Sequence, residues 1–126
     1  MKHFRSAFWI ALGWLLFITI LLCTSGSKLP KIGWSDKILL DKWAHIFLFL
    51  VLVLLWSRVY LKTVSTADKK KIFTIITILS VVYGVGMEFI QEHFIPFRSF
   101  DYGDMIADAV GSAAGYFIAV KKLLKK

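Results

Sequence analysis

Four apolar stretches, each close to the length that crosses a bilayer as a helix, dominate this chain of 126 residues. They cover 6–24, 43–60, 72–94 and 104–120, with charged clusters between them. Hydrocarbon offers no water to backbone N–H and C=O groups. Segments of this kind must satisfy those groups internally, as helices of about 20 residues. The expectation is an all-α integral membrane protein, a four-helix bundle with short loops, forming one domain over 1–126. Composition agrees: the chain is 58% hydrophobic and 19% charged, against roughly 45–50% apolar usage in soluble domains.

Charge gives the orientation. Lys2, Arg5, Arg58, Lys62, Lys69, Lys70, Lys71, Lys121, Lys122, Lys125 and Lys126 fall on one side of the four spans. That is eleven of the sixteen Lys and Arg, with Lys28, Lys31, Lys37, Lys42 and Arg98 on the other. The positive-inside rule predicts both termini in the cytoplasm and the first and third connections outside. A net charge of +8 also raises nucleic acid as a partner. The basic residues bracket apolar runs rather than forming a polar face, and no nucleic-acid module surrounds them, so that partner is set aside. The Lys121–Lys126 tail reads as a cytoplasmic anchor that keeps its ammonium groups in water.

The first connection, 25–41, holds Ser25-Gly26-Ser27, Pro30, Gly33 and Trp34 and reads as a loop at the outer surface. Trp34 and Trp43 suit the headgroup region. Ser65-Thr66-Ala67-Asp68 reads as a capped start for the third helix. Cys23 is the one cysteine, which rules out an internal disulfide and a Cys-based metal cluster. Leu22 precedes it where a lipoprotein site needs a small residue. The first span shares a basic start and the small-x-small Ser25-Gly26-Ser27 with cleaved leaders. Its length, and Trp9 and Trp14 within it, point to a retained helix.

Ionisable residues inside or at the rims of the spans crowd one end. Asp41, Lys42 and His45 open the second helix. Glu88, Gln91, Glu92 and His93 close the third, and Arg98, Asp101, Asp104 and Asp108 lead into the fourth. Under the topology above, all three groups lie at the outer end. Spacing of three or four puts Asp41 with His45, Glu88 with Gln91 and Glu92, and Asp104 with Asp108 on shared faces. Ser80, Gly84 and Glu88 make a narrow stripe on the third helix. Ala107, Gly111, Gly115 and Ala119 make a small-residue stripe with a GxxxG on the fourth, expected beside the Asp104/Asp108 face rather than on it. A carboxylate at the bilayer centre costs about 2.5–3.5 kcal/mol on insertion scales, so such groups call for partners and a role.

Asp41-Lys42-Trp43-Ala44-His45, Glu88-Phe89-Ile90-Gln91, Arg98-Ser99-Phe100-Asp101 and Asp104-Met105-Ile106-Ala107-Asp108-Ala109-Val110-Gly111 together resemble the VanZ-like family, named for a teicoplanin-resistance protein. The resemblance covers about Asp41 to Gly115. Asp108 departs from it, standing where the family usually has Asn. The resemblance implies a small multi-pass protein of a bacterial inner membrane, one member being associated with lower sensitivity to a lipid-tailed glycopeptide antibiotic. It carries no biochemical activity with it.

Residue chemistry leaves three readings. In the first, an outward pocket binds or remodels an envelope lipid or lipid-linked glycan. Lys42 and Arg98 hold phosphate there, and Asp41, Gln91, Asp101 and Asp104 complete the ligand-binding set. In the second, the chain is an intramembrane enzyme acting on a lipid phosphate, with His45, Glu88 and Asp108 as the catalytic group. An unperturbed imidazole titrates near pH 6.5, close to working conditions, and Glu88 with Asp108 would orient it or hold a divalent cation. In the third, the polar cluster only locks the bundle. No G-x-S-x-G or H-E-x-x-H element is present, which removes the hydrolase and zinc-protease motifs. Ligand identity, turnover, metal and oligomeric state stay open at this level.

Overall fold

The computed structural model describes residues 2–23, 34–61, 64–94 and 102–123. Among them the chain forms four helices: α1 (Lys2–Leu22), α2 (Trp34–Val59), α3 (Thr66–Phe94) and α4 (Tyr102–Ile118). The last continues into one wider π turn, Ala119–Leu123. Three helices are long and apolar enough to cross a membrane, over Arg5–Leu22, Lys42–Val59 and Ala67–Phe94. Helix α4 is shorter, at 17 residues.

Two boundaries differ from the sequence expectation in an informative way. The segment from Trp34 to Asp41, expected to belong to the outer loop, is the first two turns of α2. Past Gly33 no Gly or Pro occurs until the helix ends, so nothing in the sequence stops it from starting there. The polar opening of α2 is thereby carried on helix rather than loop. Helix α3 begins at Thr66, directly after Ser65. The Ser65 carbonyl accepts from the Asp68 and Lys69 amides at 3.0 and 3.1 Å, and Ser65 Oγ donates to Asp68 Oδ2 at 2.9 Å.

The contacts between helices fix their directions. Phe8 meets Trp56 ring to ring, and Trp14 Nε1 donates to the Leu48 carbonyl at 3.0 Å, so α1 and α2 run antiparallel. Ser80 Oγ lies 2.7 Å from Ser112 Oγ, and Thr74 Oγ1 lies 3.3 Å from the Tyr116 hydroxyl, so α3 and α4 run antiparallel. On α2 and α4, Ile46 faces Gly111 and Leu50 and Val53 face Gly115. Residue numbers rise together along that seam, so α2 and α4 are parallel. Direction therefore alternates along the chain, and the start of α2, the end of α3 and the start of α4 share one end.

The interior and surface are inverted relative to a soluble protein. Trp9, Ile20, Ile106 and Phe117 are between 64% and 70% exposed, while Glu88, Asp104, Asp108 and Ser112 are buried. An apolar exterior of this extent would associate in water and is at home against lipid chains. The apolar core lies among α1, α2 and α3, where Ile18, Leu22, Leu48, Phe49, Leu52 and Met87 pack together.

Glycine makes the α2–α4 seam. A Cβ on Gly111 would sit 2.3 Å from the Ile46 carbonyl oxygen, and one on Gly115 2.8 Å from that of Leu50. Both obstacles are backbone, which has no side chain to swing aside. Small residues of this kind let two membrane helices approach to van der Waals contact. One sequence expectation is corrected here. The glycine stripe was placed beside the Asp104/Asp108 face, yet Asp104, Asp108, Gly111 and Gly115 all turn toward α2. At spacings of four, three and four they make one continuous face, and the carboxylates are its outer continuation.

Gly111→Ala should destabilise the folded protein by about 1–3 kcal/mol through overpacking, read as a lowered thermal midpoint in detergent. Gly13→Ala, which has open space around the added methyl, should leave that midpoint unchanged or slightly raised.

Candidate functional site

At the shared end, α2 contributes Lys42 and His45. These are three apart and so project from one face. Helix α4 contributes Asp104 and Asp108, one turn apart. Lys42 Nζ donates to Asp104 Oδ1 at 2.5 Å, and His45 Nδ1 lies 2.6 Å from Asp108 Oδ1. His45 Nε2 lies 3.7 Å from Asp104 Oδ2. The result is an alternating chain, Lys42–Asp104–His45–Asp108, with the imidazole held between two carboxylates. Glu88 joins it from α3: one ligating atom each from His45, Glu88 and Asp104 lie within 4.8 Å of one another.

Burial sets how strongly these groups interact. His45, Glu88, Asp104 and Asp108 are all buried, at 1–4% exposure, while the Lys42 side chain keeps 25%. Away from water, charges attract more strongly and unpaired ones are costly, so each group here depends on its neighbours. With Asp108 ionised, the proton of that short bond sits on Nδ1 of His45, and Nε2 faces Asp104.

Asp108 occupies a niche that α3 provides. A Cβ on Gly84 would sit 2.7 Å from Asp108 Oδ2, so glycine at that position makes room for the carboxylate. Oδ2 is one of two buried side-chain oxygens, with Ser57 Oγ, that have no hydrogen-bond partner among the described residues. Leaving such an atom unsatisfied costs about 1–3 kcal/mol. The stripe Ser80–Gly84–Glu88 thus has three separate uses: a hydroxyl pair with Ser112, a gap for Asp108 and a carboxylate in the site.

The sequence candidates therefore divide. His45, Glu88, Asp104, Asp108 and Lys42 come together. Lys42 is bonded to Asp104. Gln91 has a different job in view: its Nε2 donates to the Leu22 carbonyl at 2.9 Å, meeting one of the acceptors that the last turn of α1 leaves open. Arg98 and Asp101, and the side chain of Asp41, lie outside the described residues. Glu92 and His93 are exposed at the rim. Two further residues escaped the sequence reading. Thr19 gives its proton to the Leu15 carbonyl at 2.8 Å, so the Tyr83 hydroxyl 2.5 Å away must be the donor to Thr19 Oγ1. With Gln91 this bond ties α1 to α3 near the polar end. Toward the other end, a cavity of about 250 Å³ opens among Leu15, Leu52, Trp56, Tyr60, Leu79 and Tyr83. No single-helix periodicity reveals a bond or a gap of this kind, because each depends on how separate helices dock.

Compared with known proteins, the chain matches no family model, no curated protein and no solved structure.

Asp108→Ala should remove the partner of a buried imidazole and cost about 3–5 kcal/mol. Asp108→Asn, whose amide oxygen can still accept from Nδ1, should cost less than half of that. Urea or thermal unfolding of the detergent-solubilised proteins measures both.

Proposed function

We propose that the chain is a VanZ-like envelope protein of a bacterial inner membrane, crossing it four times with both termini in the cytoplasm. In this reading the polar site opens outward and takes the headgroup of an envelope lipid or lipid-linked glycan. The observation that carries it is the buried chain Lys42–Asp104–His45–Asp108 with Glu88 beside it, assembled from three helices inside an apolar exterior. Ionisable groups inside a membrane bundle mark ligand or ion sites far more often than they serve as packing. The alternating helix directions and the excess of Lys and Arg on one side support the orientation. Of the residues that carry the resemblance, Lys42, His45, Glu88 and Asp104 gather in space, with Asp108 beside them at the position where the family usually has Asn.

The same geometry supports an enzyme acting on a lipid phosphate as the second reading. A carboxylate behind Nδ1 favours the tautomer in which Nε2 is the proton acceptor, which is how a histidine base is oriented. A purely structural cluster is the third reading, and Glu88→Gln separates it from the others.

Produced in a bacterium at matched membrane abundance, the wild-type chain should lower sensitivity to teicoplanin. Glu88→Gln and His45→Gln should lose at least fourfold of that effect while remaining folded. Full activity in both variants would sink the functional site, and loss only in proportion to folded protein would leave the structural reading. For the topology, with Cys23 replaced by Ser, a cysteine at Lys28 should react with an impermeant maleimide added outside intact cells. One at Lys122 should react only after permeabilisation.

A further inference from the structure

We infer that His45, Glu88 and Asp104 form a binding site for one divalent transition-metal cation, with Asp108 as the residue that positions the imidazole. The inference deepens the headgroup-site reading above and rests on it for location, not for its test.

The donor set is of mixed character and comes from three helices. His45 supplies Nε2, while Glu88 and Asp104 supply carboxylate oxygens, with the three atoms within 4.8 Å of one another and all three residues buried. Metal–nitrogen and metal–oxygen bonds of about 2.0–2.2 Å at tetrahedral angles put ligand atoms roughly 3.3 Å apart. The 3.7 Å between His45 Nε2 and Asp104 Oδ2 is too long for a hydrogen bond and a few tenths of an ångström wider than a shared metal needs. The three donor atoms lie up to 4.8 Å apart, so binding draws the carboxylates inward by side-chain rotation.

A second observation concerns the other nitrogen of the imidazole. Histidines that bind metals almost always give their other N–H to a carboxylate or carbonyl, which fixes the tautomer and raises the basicity of the ligating nitrogen. His45 Nδ1 lies 2.6 Å from Asp108 Oδ1, the spacing of such a bond, and Gly84 keeps the space in which that carboxylate fits. Asp108, 2% exposed, makes no hydrogen bond through its other oxygen among the described residues, so its charge is directed largely at the imidazole. A site whose Nε2 lone pair faces carboxylates suits a cation, and one imidazole with two carboxylates suits Zn²⁺ or Mn²⁺ better than a soft metal. Three protein ligands leave a fourth position open. Through it, a phosphate-bearing headgroup could bind in a pocket that is otherwise rich in carboxylates.

The test uses the full chain in detergent, stripped with a chelator and titrated with Zn²⁺ and separately with Mn²⁺ by calorimetry. One equivalent should bind, and the thermal midpoint should rise. Asp104→Asn and Glu88→Gln should each weaken binding at least 100-fold. Asp108→Asn should weaken it about 10–100-fold while keeping one equivalent. X-ray absorption at the zinc edge should report one nitrogen ligand with oxygens and no sulfur. If a variant fails to fold, the wild-type ligand set and its stabilisation by metal decide the matter alone. No saturable binding up to millimolar metal would overturn the inference. So would sulfur in the ligand shell, which would place zinc at the exposed Cys23, or binding indifferent to Asp104→Asn and Glu88→Gln. Metal binding as expected, in a protein without effect on teicoplanin sensitivity, would sink the headgroup reading and leave the metal site standing.

Discussion

The closeness of α2 and α4 is the constraint on which the polar site depends. At Gly111 and Gly115 the two helices touch backbone to backbone, and no larger residue fits without moving one of them. Held at that distance and parallel, they place a lysine and a histidine one turn apart opposite two aspartates one turn apart. The match is geometric before it is electrostatic. A wider seam would leave four ionisable groups facing each other across a gap that neither hydrogen bonds nor hydrocarbon could fill. Packing of small residues thus provides in a bilayer what apolar burial cannot, because lipid chains compete on equal terms for apolar faces.

Helix α3 closes the third side with very small parts. Ser80 meets Ser112, Gly84 yields space to Asp108, and Glu88 brings a carboxylate within 4.8 Å of the imidazole and of Asp104. Helix α1 stands outside this arrangement and contributes differently. It supplies Ile18 and Leu22 to the apolar core, and it is fastened through Trp14, Thr19 and the carbonyl of Leu22. Those bonds leave the polar site to the other three helices.

Most of this fold was legible in the sequence, and a definable part was not. The apolar runs gave the helices, because their length answers directly to the thickness of hydrocarbon. Spacing gave the pairs Asp104/Asp108 and Ser80/Gly84/Glu88, since a helix repeats on a known period. What spacing could not give was the rotation of one helix against another. The glycine stripe and the aspartates look like neighbouring faces on an ideal helical wheel, and only the docking of α2 makes them one. Likewise Gln91 reads as a site residue by its place beside Glu88, and its bond to α1 depends on a helix nearly seventy residues away. The early start of α2 was hidden by the turn-forming residues just before it, which masked an unbroken helical stretch from Trp34 on.

The pairing of α2 with α4 has a consequence for how the molecule is made. A ribosome delivers α2 well before α4, so Lys42 and His45 reach the insertion machinery when neither aspartate yet exists. During that interval Lys42 and His45 have no α4 carboxylate to face. The site is therefore completed only by the arrival of α4.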